Sequence, residues 1–377
     1  MRAGIATSGD SARRHAFHTA KRPDACVKRR NHAYLRLAMT PAIFSLSGLT
    51  LTPDERALFR EANPVGYILF GRNIECREQL RALTSEVRAL HGRDDLIISI
   101  DQEGGRVARM KPPVWPAYPA QGDFARLYDL APASAIQAAR DNAQLLAMDL
   151  AEVGINVDFL PLLDVPVPGA HDVIGDRALG HEPLRVAALG RAIIDGLARG
   201  GVTGCIKHMP GHGRALVDSH KDLPLVTASA QELEADLAPF RALADAPLGM
   251  SAHIVFEVWD GDLPATLSRK VIGEIIRGAV GFDGLLLSDD MDMHALEGPI
   301  PELSLQAVEA GCDVALNCWG RLDDLAGTAE LLPALSDKGR ERLDRVIAFP
   351  QSRAAPAERE ALLASRDALL GQIEARA

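Results

Sequence analysis

Residues 207–220 form the stretch of the sequence that is richest in side chains able to do chemistry. It reads "KHMPGHGRALVDSH" and holds three of the chain's 11 His residues beside a Lys and an Asp. Imidazole titrates near neutral pH, so such a cluster is typical of proton transfer. The inner "PGHG" taken alone is equally typical of a flexible turn or a weak phosphate-binding loop.

Other polar residues stand where apolar runs of the sequence end. They are "DQEGGR" (101–106), Asp164 with "DVIGDR" (172–177), Lys207-His208, His253 and "SDD" (288–290). Each group alone has an ordinary structural explanation, such as a turn, a helix cap, a salt bridge or a hydrogen-bonded core histidine. Because uncompensated charges at the ends of buried strands cost stability, the groups together favour one functional site.

The apolar runs predict the strands that position these residues. Eight candidate strands cover residues 43–48, 65–70, 96–102, 155–161, 202–208, 248–256, 284–290 and 312–318. Most are apolar throughout instead of alternating, which is typical of parallel strands buried on both faces. With helices interleaved, they predict an α/β fold, a (β/α)8 barrel of TIM type, with catalytic groups at the carboxyl ends of the strands. An open doubly wound sheet is the alternative.

Helix signals lie between the predicted strands. Thr52 with Glu55 and Ser229 with Glu232 have the spacing of capping boxes, which predicts helix starts there. Gly92 follows a helical repeat of leucines and predicts a helix end. The residues after 356 are predicted to form a closing helix, and residues 39–377 are predicted to be a single catalytic domain.

Composition limits the classes of function. The chain has 377 residues, is 47% hydrophobic and carries a formal net charge of −10, so we predict no nucleic-acid partner. No run approaches eighteen apolar residues, so we predict no membrane span. The five cysteines are odd in number and lack CxxC spacing, which favours a reducing compartment. We interpret Cys205, Cys312 and Cys318 as core residues.

Residues 1–38 differ from the rest of the chain. They contain nine Lys or Arg and two Asp or Glu, and they show little apolar periodicity. We predict a disordered basic extension. Translation starting instead at Met39 is an equally weighted alternative. A signal peptide is disfavoured because Pro41 interrupts the apolar stretch that it would need.

The block at 207–220 closely resembles the K-H-[FI]-P-G-[HD]-G-x4-D-x-H signature of β-N-acetylhexosaminidases in glycoside hydrolase family 3. "IDQEGGRVARM", "VIGDRALG", "PATLS" and "GFDGLLLSDDMDM" resemble the family's other blocks in the same order. The resemblance covers about residues 42–320. The family fold is a (β/α)8 barrel. Met209 stands where an aromatic or branched residue is commoner, and Asp292-Met293 stand where Ser-Met is usual, which leaves the substrate fit less defined.

The resemblance implies a role for each matching residue. Asp289 is expected to be the nucleophile, and His220 the acid/base, paired with Asp218. Gly211 and Gly213 would let the loop that carries this pair move over the sugar. The residues expected to bind N-acetylglucosamine are Asp101, Arg109, Arg177, Lys207 and His208.

The function implied by the resemblance is a retaining exo-β-N-acetylglucosaminidase. Related single-domain members often act on muropeptides, so we expect a cytoplasmic peptidoglycan-recycling enzyme that is a monomer, binds a small carbohydrate substrate and needs no cofactor or metal. A phosphorylase is an alternative, because His tolerates an incoming phosphate better than a carboxylate does. A metal-dependent barrel hydrolase is less favoured, since the first strand lacks a His-x-His pair and no H-E-x-x-H occurs. A non-catalytic sugar-binding protein is the remaining alternative.

Overall fold

The computed structural model describes residues 38–217, 219 and 222–375. Asp218, His220 and nearly all of the predicted basic extension therefore lie outside the described residues. The chain from Ala38 onward forms one compact unit. The division into an extension (1–38) and a catalytic domain (39–377) stays a prediction.

The centre of the fold is a parallel sheet of nine strands in the order β5-β4-β3-β2-β1-β11-β10-β8-β6. The strands of the described residues are β1 (Thr40–Ser45), β2 (Pro64–Leu69), β3 (Ile97–Ile100), β4 (Val157–Asp158), β5 (Thr203–Gly204), β6 (Ile206–Met209), β7 (Leu225–Val226), β8 (Leu248–Ser251), β9 (Val255–Phe256), β10 (Leu285–Asp290) and β11 (Val314–Leu316).

The sheet closes into a barrel through one divided strand. β5 pairs with β4 and β6 pairs with β8, and only Cys205 separates β5 from β6 in the chain. The two ends of the sheet order are thus one continuous segment, and the barrel has eight strand positions. The predicted (β/α)8 barrel is confirmed.

Helices connect the strands around the barrel. They are α1 (Pro53–Ala62), α2 (Arg77–His91), α3 (Gln121–Leu130), α4 (Pro132–Glu152), α5 (Pro183–Arg199), α6 (Ala230–Ala242), a π-helical segment (Val271–Ala279), α7 (Ile300–Ala310), α8 (Leu322–Leu331), α9 (Asp337–Ala348) and α10 (Arg359–Glu374). The predicted closing helix is α10. Across the described residues, none of these helices is both long and apolar enough to cross a membrane.

The predicted helix boundaries are confirmed by their capping contacts. The Thr52 side chain accepts from the Glu55 amide, while the Glu55 carboxylate accepts from the Thr52 amide, and α1 begins at the next residue. Ser229 and Glu232 make the same reciprocal contacts at the start of α6. Gly92 ends α2 with φ of 58°, a left-handed conformation that favours glycine.

The strands are apolar throughout because both of their faces are buried. On β1, Ile43 belongs to the cluster inside the barrel, whereas its neighbour Phe44 packs among the residues between the sheet and the helices. Ile97 and Ile98 on β3 divide in the same way. Successive side chains of a strand point to opposite faces, so burial on both sides removes the polar alternation.

The predicted sixth strand, 248–256, is wrong in extent. β8 ends at Ser251, and β9 pairs instead with β7 in a separate two-stranded sheet. Ile254 and Phe256 are nevertheless buried, against residues that include Val226. The apolar run correctly signalled burial, but a run of apolar residues does not specify which sheet buries it.

Candidate active site

A cavity of about 190 Å³ opens at the carboxyl ends of the barrel strands. Six residues singled out from the sequence line it, namely Asp101, Arg109, Arg177, Lys207, His208 and Asp289. They follow or end strands β3, β4, β6 and β10, so positions almost 190 residues apart in the sequence meet at one place. Asp218 and His220 lie outside the described residues, so their positions stay predictions.

Glu103 is a buried carboxylate that holds two of these cations together. It accepts from Arg177 Nε at 2.8 Å and Nη2 at 2.9 Å, and it pairs with Lys207 Nζ at 2.7 Å. Burial alone would raise the pKa of Glu103, but the charges of Lys207 and Arg177 lower it to about 2. Glu103 is therefore ionised at neutral pH and orients both side chains toward the cavity.

Asp101 forms a second contact with the same lysine. Its carboxylate lies 3.2 Å from Lys207 Nζ and 3.3 Å from Arg109 Nη2. Burial would lower the pKa of the Lys207 ammonium, but Glu103 and Asp101 raise it above its ordinary value. Lys207 is thus a fully charged donor. Asp101 is the more accessible of its two carboxylate partners and can accept from a ligand hydroxyl.

The loop after β3 is shaped by two residues of the "DQEGGR" block. Gln102 is buried, and its side-chain oxygen accepts from the amides of Arg109 and Met110. Gly104 has φ of 89°, and a Cβ there would lie 2.2 Å from the Pro119 carbonyl oxygen. No other residue fits this turn, which returns the chain so that Glu103 points inward.

Asp164 orients the start of the His-containing block. Its Oδ2 lies 2.8 Å from His208 Nδ1, and its Oδ1 accepts from the amides of His208 and His212. Burial alone would raise the pKa of this carboxyl, but His208 and His212 bring it below its usual value. The ring of His208 is therefore fixed, with Nε2 on the side away from Asp164.

His212, the middle histidine of the block, is neutral and buried. Burial lowers its pKa to about 4. Its Nε2 lies 3.0 Å from the hydroxyl of Ser219, and both residues line the cavity. Ser219 is the residue between Asp218 and His220, so this contact joins the rigid start of the block to the segment that carries the predicted acid/base pair.

The two glycines of the block serve close packing, which differs from the expected hinge. Both are buried, and a Cβ on Gly213 would lie 2.0 Å from the Val165 carbonyl oxygen. Gly211 has φ of 136° and approaches Asp236. Within the described part of the block, the first exposed residue is Leu216.

The two aspartates at the end of β10 differ in their surroundings. Asp289 Oδ1 accepts from the Asp290 amide at 2.8 Å. Burial raises the pKa of Asp290 to about 7, and the charges of Asp292 and Asp289 add to this effect. Asp290 is thus partly protonated at neutral pH.

His253, which follows a barrel strand, is a hydrogen-bonded core residue. It is fully buried, with Nδ1 2.9 Å from Thr266 Oγ1 and Nε2 2.9 Å from the Asp290 carbonyl oxygen. Within the described ranges, no group of three or more His, Cys, Asp or Glu is arranged to hold a metal ion.

Sequence reasoning missed Glu103 and Asp164 as members of the site, although both lie in stretches noted above. The available signal was charge balance, because Lys207 lies in the buried strand β6 and Arg177 follows β4, and both need carboxylate partners close by. Asp164 stands after β4 in the same way that Lys207-His208 stands at the end of β6.

We expect Asp164→Asn to lower the free energy of unfolding by about 2–3 kcal/mol, because one amide donor would replace an acceptor shared by three N–H groups. Displacing His208 should lower kcat/KM about 10- to 100-fold. Urea unfolding and kinetics on an aryl glycoside would measure both effects. Asp176→Asn, which alters a half-exposed ion pair with Arg106, is the matched control and should change little. Wild-type behaviour of Asp164→Asn would remove it from this role.

A (β/α)8 barrel with carboxylates and cations around a cavity at the strand ends has the architecture of a glycoside hydrolase. Residues 46–348 match the family model described as the glycosyl hydrolase family 3 N terminal domain. The chain belongs to glycosyl hydrolase family 3, and within that family it is an enzyme of the β-N-acetylhexosaminidase type.

Individual relatives agree with this assignment. A β-hexosaminidase of Alkalilimnicola ehrlichii is 41% identical over 287 residues, which are 75% of this chain and 81% of that protein. One from Bordetella avium is 38% identical over 317 residues, covering 82% and 89%. Among solved structures, NagZ from Neisseria gonorrhoeae in complex with N-trifluoroacetyl-D-glucosamine has a TM-score of 0.78 and 33% identity, covering 88% of this chain and 98% of that one.

Proposed function

We propose that this protein is a retaining exo-β-N-acetylglucosaminidase that releases terminal N-acetylglucosamine from muropeptides during cytoplasmic peptidoglycan recycling. The observation that carries the proposal is that Asp289 lines the same cavity as the ion-paired cluster of Lys207, Arg177 and Asp101. The similar NagZ structure, which holds an N-acylated glucosamine, supports this choice of sugar. Free cysteines at positions 76, 205, 312 and 318 are compatible with a reducing compartment.

In this proposal Asp289 attacks the anomeric carbon and displaces the aglycone, forming a covalent glycosyl-enzyme. The residue ends a buried strand, so its carboxylate has a defined position in the cavity. The amide of Asp290 donates to one of its carboxylate oxygens at 2.8 Å, which helps to hold the side chain in place. Water then attacks the same carbon, releases the sugar and restores the carboxylate.

The proton transfers are assigned to His220, with Asp218 as its carboxylate partner. His220 would protonate the leaving oxygen in the first step and take a proton from water in the second. A paired carboxylate selects the ring tautomer and stabilises the imidazolium that forms. Support comes from the contact of His212 with Ser219, because it anchors the segment beside the cavity.

Recognition of the sugar is assigned to Asp101, Arg109, Arg177, Lys207 and His208. The buried carboxylate of Glu103 fixes Arg177 and Lys207, so their remaining N–H groups face the ligand with little freedom. Such preorganised polar groups are left unpaired by a sugar that lacks a matching hydroxyl, which makes rejection of that sugar strong.

We expect His220→Ala to lower kcat/KM for natural disaccharides by about 10²- to 10⁴-fold, the usual contribution of a general acid. Activated aryl glycosides should lose much less in the first step, because their leaving groups need little protonation. Steady-state kinetics on both substrate classes, beside a Leu184→Ala control at an exposed position of α5, would measure the difference. An equal loss on both classes would remove His220 from the acid role.

The test of the proposed function is direct. The protein is incubated with an aryl β-N-acetylglucosaminide, with and without phosphate, and the products are followed by proton NMR. Free β-anomer formed first in both buffers supports a retaining hydrolase, whereas a sugar 1-phosphate would make the protein a phosphorylase with the same site. A second assay uses cell-wall fragments, and failure to release N-acetylglucosamine from them would overturn the recycling role.

A further inference from the structure

Trp319 is a large apolar side chain that is not buried. It lies on the loop after β11 and is 62% exposed. Among the large exposed apolar side chains of the described part of the chain, it is the sole aromatic. An exposed indole costs hydrophobic free energy, and such residues commonly mark binding surfaces.

The loop that carries Trp319 is held rigidly. Arg72 Nη2 donates to the carbonyl oxygen of Cys318 at 2.6 Å, directly beside the peptide bond to Trp319. The carboxylate of Asp292 accepts from the Cys318 amide at 3.3 Å and from Arg321 Nη2 at 2.5 Å. The backbone is therefore held at Cys318 and the side chain of Arg321 is held on the other side of Trp319, so the loop that exposes the indole has defined contacts.

Trp319 is continuous with the rim of the cavity. Cys318 and Phe70 both line the cavity, and the Arg72 guanidinium lies 4.7 Å from the centre of the Phe70 ring. The Arg72 side chain donates two hydrogen bonds, from Nε to the carbonyl oxygen of Leu46 and from Nη2 to that of Cys318. Among the described residues it has no carboxylate within ion-pair distance, and its other donors remain for a ligand.

This rim lies across the barrel from Lys207, one of the cations assigned to the first sugar, and beside Arg109, which stacks on the same Phe70 ring as Arg72. The strand order places β1 between β11 and β2, which lead to Trp319 and Arg72, whereas β6, which carries Lys207, is four strand positions away from β1. Asp289 lies on β10, the strand next to β11, so the bond that joins the second sugar to the first is close to the loop that carries Trp319.

We propose that Trp319 and Arg72 form the binding site for the aglycone, with the indole stacking on the second sugar and the guanidinium pairing with a carboxylate of that aglycone. The inference rests on the proposed function and names the groups that would select an acidic, sugar-containing leaving group. The C–H face of a pyranose ring packs well on an aromatic face. A planar guanidinium is suited to pair with a carboxylate.

The first test removes the indole of Trp319. Trp319→Ala should lower kcat/KM at least about 10-fold for N,N′-diacetylchitobiose, with its neutral second sugar, and for the anhydro-muramoyl disaccharide. Inhibition by free N-acetylglucosamine, which occupies only the first subsite, should stay within about 2-fold. Trp319→Phe keeps a ring and should recover most of the loss. Leu184→Ala, at a Leu that is 83% exposed on α5, is the surface control.

The second test removes the positive charge of Arg72. Arg72→Gln should lower the preference for the acidic disaccharide over diacetylchitobiose about 5- to 10-fold, whereas Arg72→Lys should retain part of it. Wild-type kinetics of Trp319→Ala on both disaccharides would overturn stacking of the second sugar on Trp319. A loss of affinity for N-acetylglucosamine equal to the loss of kcat/KM on the disaccharides would overturn it as well. An unchanged preference in Arg72→Gln would overturn the carboxylate contact. If muropeptides are not substrates at all, the proposed function fails, while diacetylchitobiose still tests Trp319.

Discussion

Asp289→Ala should abolish turnover of every β-N-acetylglucosaminide, with kcat/KM lowered by at least about 10⁴-fold for aryl glycosides and disaccharides alike. The loss does not depend on the leaving group, because the nucleophile is needed to form the glycosyl-enzyme whatever departs. This independence separates Asp289 from the proton donor, whose replacement is expected to spare activated substrates. Steady-state kinetics on both substrate classes would measure it.

The adjacent aspartate offers a matched control for this variant. Because burial raises the pKa of Asp290 to about 7, a neutral amide resembles the form that is substantially present at neutral pH. Asp290→Asn should therefore retain a much larger part of the activity than Asp289→Asn does. If the two variants exchanged these outcomes, the nucleophile would be Asp290.

Added azide gives a second readout for the nucleophile. In Asp289→Ala the missing carboxylate leaves room for a small anion on that face of the sugar, so azide should restore turnover of an activated aryl glycoside and give the α-glycosyl azide. In His220→Ala the glycosyl-enzyme still forms, and azide should give the β-glycosyl azide. Proton NMR distinguishes the two products, and a β-azide from Asp289→Ala would contradict the assignment.

The fold could be predicted from the sequence because its strands are buried on both faces. Burial on both faces requires apolar residues along each strand, so the strands are visible as eight apolar runs in the sequence. Capping pairs such as Thr52 with Glu55 predict helix starts because their contacts are local. The division of one strand at Cys205 and the departure of β9 into another sheet depend on which partners are near. Those partners are distant in the sequence, so local patterns carry no information about them.

The site could be predicted in part, because a barrel brings the ends of its strands together. Asp101, Lys207 and Asp289 were singled out because polar residues end apolar runs, and the structure places all three around one cavity. The pairing of Glu103 with Arg177 joins residues 74 positions apart and depends on side-chain geometry. Charge balance among buried groups is the rule that would have predicted such a partner.

Glu103→Gln should be the most destabilising change in the site at neutral pH. The buried Glu103 carboxylate balances Lys207 and Arg177, and removing its charge leaves two buried cations with one fewer partner. The lowering of its pKa from the ordinary value of 4.5 to about 2 corresponds to about 3 kcal/mol of stability. Loss of orientation in both cations should also lower kcat/KM at least about 100-fold.

The contribution of Glu103 to the free energy of unfolding decreases as the pH falls. A carboxyl whose pKa is lower in the folded protein stabilises the fold above its ordinary pKa, and this contribution disappears as the pH falls through the folded value. The wild-type protein should therefore lose about 3 kcal/mol from this group between about pH 5 and pH 2, while Glu103→Gln lacks that part of the dependence. The two unfolding free energies should thus converge as the pH approaches 2.

Urea unfolding at a series of pH values measures both curves. Glu330→Gln, the same substitution at an exposed position on α8, is the control and should follow the wild-type curve throughout. A constant difference between Glu103→Gln and wild type from neutral pH down to pH 2 would mean that the loss arises from altered packing. In that case the charge of Glu103 would not be what holds Lys207 and Arg177 at the cavity.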